Sequence, residues 1–200
     1  MELEQDRGRS FSVDWLSPNI PHLGRVLEHL VGRPGVAMLE IGSFEGRSTV
    51  WFLENVLTGA RSTITCIDTF RGSAEHTGVD HDALLERFKR NVAPWSDRVT
   101  VLEGESRRML RTLGDDPRFE AVYVDGSHET PDVLEDAVLS WPLLRDGGVM
   151  IFDDYLWRAR ESRPGPAIDA FLGVFAGRYE LLHQEYQVSL RKQRAPRHRD

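Results

Sequence analysis

A single cysteine, Cys66, in 200 residues excludes an intramolecular disulfide framework and any thiolate cage for zinc. It sits in the apolar run Ile64-Thr65-Cys66-Ile67, where an inert buried thiol is expected. Long hydrophobic runs are also missing. The longest, such as Val149 to Phe152, fall far short of the ~20 residues that cross a bilayer, so no membrane span is expected. The acidic opening Met-Glu-Leu-Glu-Gln-Asp carries no apolar signal core, and a cytoplasmic location is the expectation. Positive charge is in deficit: 25 basic against 32 acidic residues leave a net charge of −7. That argues against broad adhesion to nucleic acid or anionic lipid and favours a small-molecule partner. With 40% hydrophobic and 28% charged residues, the chain is expected to fold alone as about one domain, or one with a small second, without repeats or low-complexity tracts.

Short apolar runs alternate with amphipathic stretches, a repeated β-α pattern. Strands are expected at residues 36–41, 62–68, 98–102, 119–125 and 148–153, their near-continuous Val, Ile and Leu content suiting parallel strands covered on both faces. Residues 179–183 and 186–191 read as a closing hairpin. Helical spacing marks Leu23, Val26, Leu27 and Leu30, then Leu134, Ala137, Val138 and Trp141, then Ile168, Phe171, Leu172 and Phe175. Asn19 and Thr130 are the expected caps of the first two helices, each with proline in the first turn. Trp51, Trp95 and Trp141 read as packing residues. Residues 1–19 form an N-terminal segment, 20–192 the domain, and 193–200 a basic, solvated tail.

In open parallel α/β sheets ligands bind beyond the carboxyl ends of the strands, and here those ends are loaded with acids. The first offers Glu40 and the turn Gly42-Ser43-Phe44-Glu45-Gly46, the second Asp68, the fourth Asp125, the fifth Asp153 and Asp154. Two glycines four apart let the backbone turn tightly beside a ligand. Phe44 replaces the middle glycine of a G-x-G-x-x-G loop, and Glu40, Glu45 and Asp68 would crowd a pyrophosphate, which argues against an NAD-linked oxidoreductase. A cationic guest fits better, and S-adenosylmethionine carries a sulfonium and an ammonium group. Asp68 either accepts both ribose hydroxyl protons or forms the turn before Thr69, and Glu105 and Ser106 either meet an adenine edge or cap the helix that follows.

The motifs LEIGSFEGRST at 39–49, CID at 66–68, YVDGSH at 123–128 and LLRDGGVMIFDDY at 143–155 resemble the class I S-adenosylmethionine-dependent methyltransferases. The likeness is strongest to the branch of catechol O-methyltransferase, macrocin O-methyltransferase and cephalosporin hydroxylase-like proteins. It implies a Rossmann-like, doubly wound α/β sheet, mostly parallel, of about seven strands with the last antiparallel and helices on both faces. It carries Glu40, Gly42, Ser43 and Gly46 over as the cofactor loop, Asp68 as the ribose acid, and Glu105 and Ser106 as the adenine region. Asp125, Asp153 and Asp154 match positions that hold a divalent ion in the metal-dependent members. Two departures stand out: the third metal position is an amide in catechol-type enzymes and Asp154 here, and the base position is lysine there and His128 here.

The residue types agree. Carboxylates converging from neighbouring strand ends repel one another unless protonated or bridged by a cation, and oxygen ligands select a hard ion such as Mg²⁺. His128, with an ordinary pKa of about 6.5, suits removal of a hydroxyl proton at neutral pH, whereas His22, His76, His81, His183 and His198 lack such company. The expectation is a methyltransferase acting on a small-molecule hydroxyl, of a secondary-metabolism type, with Asp125 and His128 at the catalytic centre. The alternatives are a metal-independent methyltransferase and a non-catalytic cofactor-binding module. Residues 69–76 read as a lid or a plain connecting loop, and a homo-oligomer is left open.

Overall fold

The computed structural model describes residues 8–72, 83–158 and 163–194. His76, His81 and His198, the distal part of the candidate lid and the end of the basic tail lie outside them.

The apolar runs become seven strands, β1 Ala37–Ile41, β2 Thr63–Asp68, β3 Val99–Glu103, β4 Phe119–Val124, β5 Leu144–Phe152, β6 Tyr179–Gln184 and β7 Val188–Lys192. They form one sheet in the order β3-β2-β1-β4-β5-β7-β6. The first five are parallel, and β7 runs antiparallel to both β5 and β6. The expected doubly wound sheet is therefore present. β5 begins at Leu144 rather than Gly148, because Leu144 pairs with Phe119 before the register shifts across the exposed residues 145–147.

The helices are α1 Ile20–Leu27, α2 Arg47–Asn55, α3 Leu84–Val92, α4 Ser106–Thr112, α5 Thr130–Ser140 and α6 Pro164–Val174. Successive strand residues point to opposite faces, so each continuous apolar run feeds two cores. Met38, Ile64, Cys66 and Tyr123 pack with Leu23 and Leu27 of α1, Phe52 of α2 and Phe88 of α3. Leu39, Ile41, Val122 and Phe152 pack on the other face with Leu110 of α4, Val133 and Ala137 of α5, and Phe171 of α6. Trp141 is buried against Phe171 and Phe175, and Trp51 and Trp95 pack against the first core, as expected of packing residues.

Neither expected cap forms. Asn19 precedes α1 without capping it and instead donates to Asp153, while Thr130 is the first residue of α5 and bonds the Arg163 carbonyl. The Ser10 and Ser12 amides donate to Asn91 and Glu45, and Asp14 pairs with Arg47, so residues 8–19 lie on the domain.

The strand order reverses between β1 and β4, which opens a crevice at their carboxyl ends. The approach there is so close that a Cβ on Gly42, at φ +86°, would stand 1.9 Å from the Asp125 carbonyl oxygen. Only glycine fits.

Candidate active site

A cavity of about 1120 Å³ opens along the carboxyl ends of the parallel strands, at the upper end of small-molecule sites and large enough for two ligands. One end is floored by the turn between β1 and α2. Asp68, at the end of β2, accepts the Ser43 and Phe44 amides on Oδ2, both at 2.8 Å, and the Phe70 amide on Oδ1 at 2.6 Å. It thus fixes the loop while lining the cavity. Gly46 turns the chain into α2 at φ +81°, and Phe44 is held at φ 47°, a conformation a bulky residue rarely adopts.

Glu40 is not at the rim. It is fully buried beneath the loop, outside the cavity lining, and accepts hydrogen bonds from Ser43 Oγ (2.8 Å), Ser48 Oγ (2.6 Å), the Thr49 hydroxyl and Cys66 Sγ (3.4 Å). Burial raises its pKa and the hydroxyls lower it again. Strand alternation turns Glu40 under the turn and not into the cavity. Cys66, buried and free, has its pKa pushed up by burial and by Glu40, which makes it inert. Glu45 lines the cavity but is buried, accepting from Ser12 and paired with Arg87.

At the cavity's other end Asp125, His128 and Asp154 bring one ligand atom each within 4.8 Å of one another. His128 Nε2 lies 2.8 Å from Asp154 Oδ2, and the imidazole packs 4.3 Å from the Trp157 ring. Asp154 holds its backbone at φ 60°, a left-handed position that Asp tolerates better than most residues. Asp153 stands beside this group but faces inward. It accepts from Tyr123 Oη, Gln187 Nε2 (2.9 Å), Asn19 Nδ2 (3.2 Å) and the Asp154 amide (2.8 Å). Burial, then Asp154, pushes its pKa up to about 6. Burial, then Asp153 and Asp154, pushes the Asp125 pKa well up. Among the described residues the one ion-pair partner of these acids is His128. Oxygen donors crowded together with so little positive charge fit a hard divalent cation.

Glu105 and Ser106 line the cavity where α4 begins, Glu105 being half exposed and paired with Arg107 and Arg108. Three residues that sequence reading missed also shape the site. Asn19 and Gln187 hold Asp153, and Tyr186, from the β6–β7 turn, donates to Asp154 Oδ1 at 2.6 Å. Each is a lone polar residue far along the chain from its partner, so no local spacing signals it.

A family model described as a methyltransferase domain matches residues 39–155. A search of the curated proteins finds no match. Among solved structures, the O-methyltransferase NovP superposes with a TM-score of 0.66 at 20% identity, covering 88% of this chain and 80% of that one. A putative O-methyltransferase from Klebsiella pneumoniae gives 0.66 at 16% identity, covering 92% and 84%. MycE methyltransferase of the mycinamycin pathway, in complex with Mg, SAH and mycinamycin VI, gives 0.60 at 16% identity, covering 92% and 51%. The structures share the fold, the family model spans the cavity from glycine turn to acid cluster, and the chain belongs to the methyltransferase-domain family of S-adenosylmethionine-dependent enzymes.

Proposed function

We propose that the chain methylates a hydroxyl group of a small molecule, using S-adenosylmethionine at the glycine-turn end of the cavity and a divalent cation, Mg²⁺ by its donor set, at the acid end. The observation that carries this reading is the convergence of Asp125, His128 and Asp154 at one end of a cavity whose other end is floored by Gly42 and Asp68. Bound, the cofactor supplies an electrophilic methyl group and the ion lowers the pKa of a hydroxyl held near it.

The protein's own groups do the rest. Asp68, already fixed by three amides, offers its remaining lone pairs to the ribose hydroxyls. Gly42 and Ser43 bring backbone close to the ligand, Gly46 turns the chain into α2 against Phe88, and Glu40 is the support that holds the turn. Ser106 and Glu105 border the base. Asp125 and Asp154 hold the ion, and Asp153, engaged by four donors, completes or buttresses that set. His128, held against Asp154 through Nε2, takes the hydroxyl proton. Positioning the oxygen in line with the methyl group supplies much of the acceleration. Biosynthetic hydroxyls, such as those of sugars and phenols, are the acceptor class considered first.

The test is titration calorimetry with S-adenosylhomocysteine and Mg²⁺, followed by transfer to a panel of hydroxyl acceptors with and without EDTA. Binding of both ligands, with transfer lost in EDTA and lost roughly a hundredfold in Asp154→Ala, is expected. The direct His128–Asp154 hydrogen bond favours a second reading, a metal-free dyad in which Asp154 orients the base. Transfer undiminished by EDTA selects it.

A further inference from the structure

One carboxyl group in the cavity takes no part in this scheme. Asp136 of α5 is 1% exposed, yet it lines the cavity. Neither of its oxygens has a hydrogen-bond partner among the described residues. The other carboxylates that are as deeply placed are well supplied: Glu40, Glu45 and Asp153 each accept from several donors. A buried carboxyl left unpaired is costly and is retained where something else supplies the donor. Burial, reinforced by Asp132 and Glu135 of the same helix, pushes its pKa up to about 7, and the Ser106 hydroxyl pulls it back only in part.

The surroundings give the donor its shape. Gly126 follows Asp125, and a Cβ there would lie 3.5 Å from Asp136 Oδ2 and 3.3 Å from Ile41 Cγ2. The missing side chain is thus an aperture from cavity to carboxyl. Ile41 and Ile67 give the cavity apolar lining, and Gly104 and Ser106 line it as well. Apolar walls with one buried acceptor between them suit a flat heterocycle carrying an N–H donor.

We propose that Asp136 selects the base of the cofactor by accepting a hydrogen bond from an exocyclic amine on a ring lying over Gly126, between Ile41 and the Gly104–Ser106 turn. This rests on the reading of the ligand as an S-adenosyl compound. A ring bearing a carbonyl in place of the amine would set two acceptors against each other and be rejected. Discrimination of this kind is strong because the penalty is an unpaired buried group.

Calorimetry of the full chain at pH 8 with three ligands tests it: S-adenosylhomocysteine, its inosine analogue with a carbonyl for the amine, and its purine-riboside analogue with hydrogen there. The wild type should bind the adenosyl ligand roughly ten- to a hundredfold tighter than either analogue. In Asp136→Asn the gap between adenosyl and inosyl ligands should close or reverse, since an amide donates to the carbonyl. Equal binding of all three by the wild type overturns the proposal without needing a folded variant, as does a wild-type ratio preserved in Asp136→Asn. Those failures leave S-adenosylhomocysteine binding intact, whereas no binding of any ligand overturns the methyl-transfer reading as well.

Discussion

The two ends of the cavity are both rich in acids but treat them in opposite ways. Under the glycine turn, Glu40 and Asp68 are surrounded by hydroxyls and amides, so their charge is spent within the protein holding a loop in shape. At the ends of β4 and β5, burial and then Asp153 and Asp154 raise the pKa of Asp125, burial and then Asp154 raise that of Asp153, and His128 is the one ion-pair partner among the described residues. The first arrangement is complete as it stands. The second is stabilised by adding a cation or removing a charge. A row of strand-end acids is therefore not one binding surface: whether an acid serves structure or ligand depends on which donors the fold brings to it.

That contrast is broken most severely at Gly42, the point where the two ends touch. Gly42→Ala forces a Cβ to within 1.9 Å of the Asp125 carbonyl oxygen at a φ disfavoured for alanine. The expected cost is about 4 kcal/mol or more, read by denaturant unfolding. Next comes the support beneath the turn. Glu40→Ala strands the hydroxyls of Ser43, Ser48 and Thr49 in a dry cavity and should cost about 3 kcal/mol. Glu40→Gln keeps the shape and should cost only about 1 kcal/mol. Equal losses in the two variants would show that volume, not hydrogen bonding, is what Glu40 provides.

The acid end is sharpened by pH. The folded pKa of Asp153, about 6, lies above its ordinary 3.8, so the folded state holds the proton more tightly than the unfolded one. Its contribution to stability is full below about 3.8 and is lost as pH rises through about 6. Without divalent ions, wild type should therefore lose stability relative to Asp153→Asn across that window, by an amount of order 2 kcal/mol. Urea melts of both proteins at intervals from pH 4 to pH 7 measure it. Parallel stability curves would mean that Asp153 is not strained by its neighbours.

The sheet was legible because every buried strand feeds two cores and so reads as an unbroken apolar run, as in Met38-Leu39 or Val122-Tyr123. Where a strand carries exposed residues the signal fades, and the start of β5 at Leu144, followed by Arg145 and Asp146, was not recognised. The site was legible to the extent that its groups sit at strand ends, a position set by topology and visible as a run stopping at an acid. Burial was not. Glu40 lies only two residues from Gly42, yet the pleat carries it below the turn, a distinction that spacing alone does not make. Asn19, Tyr186 and Gln187 reach the acids only through tertiary packing.

The smallest effect is expected at Glu105, and it tests the limit of the comparison. Glu105 lines the cavity beside the proposed base position, as a strand-end acid with a ligand role would. Its carboxylate, however, is half exposed, and its pKa is lowered by Arg107 and then Arg108, so its charge is already answered in solvent. Exposed pairs of this kind contribute little. Glu105→Ala should change S-adenosylhomocysteine affinity by less than about twofold, set against the loss expected when the buried Asp136 is changed. A large loss at Glu105 would reverse the assignment: the exposed acid, and not the buried one, would then be the group that meets the base, and burial would cease to be the criterion that separates structural from ligand-facing carboxylates along this rim.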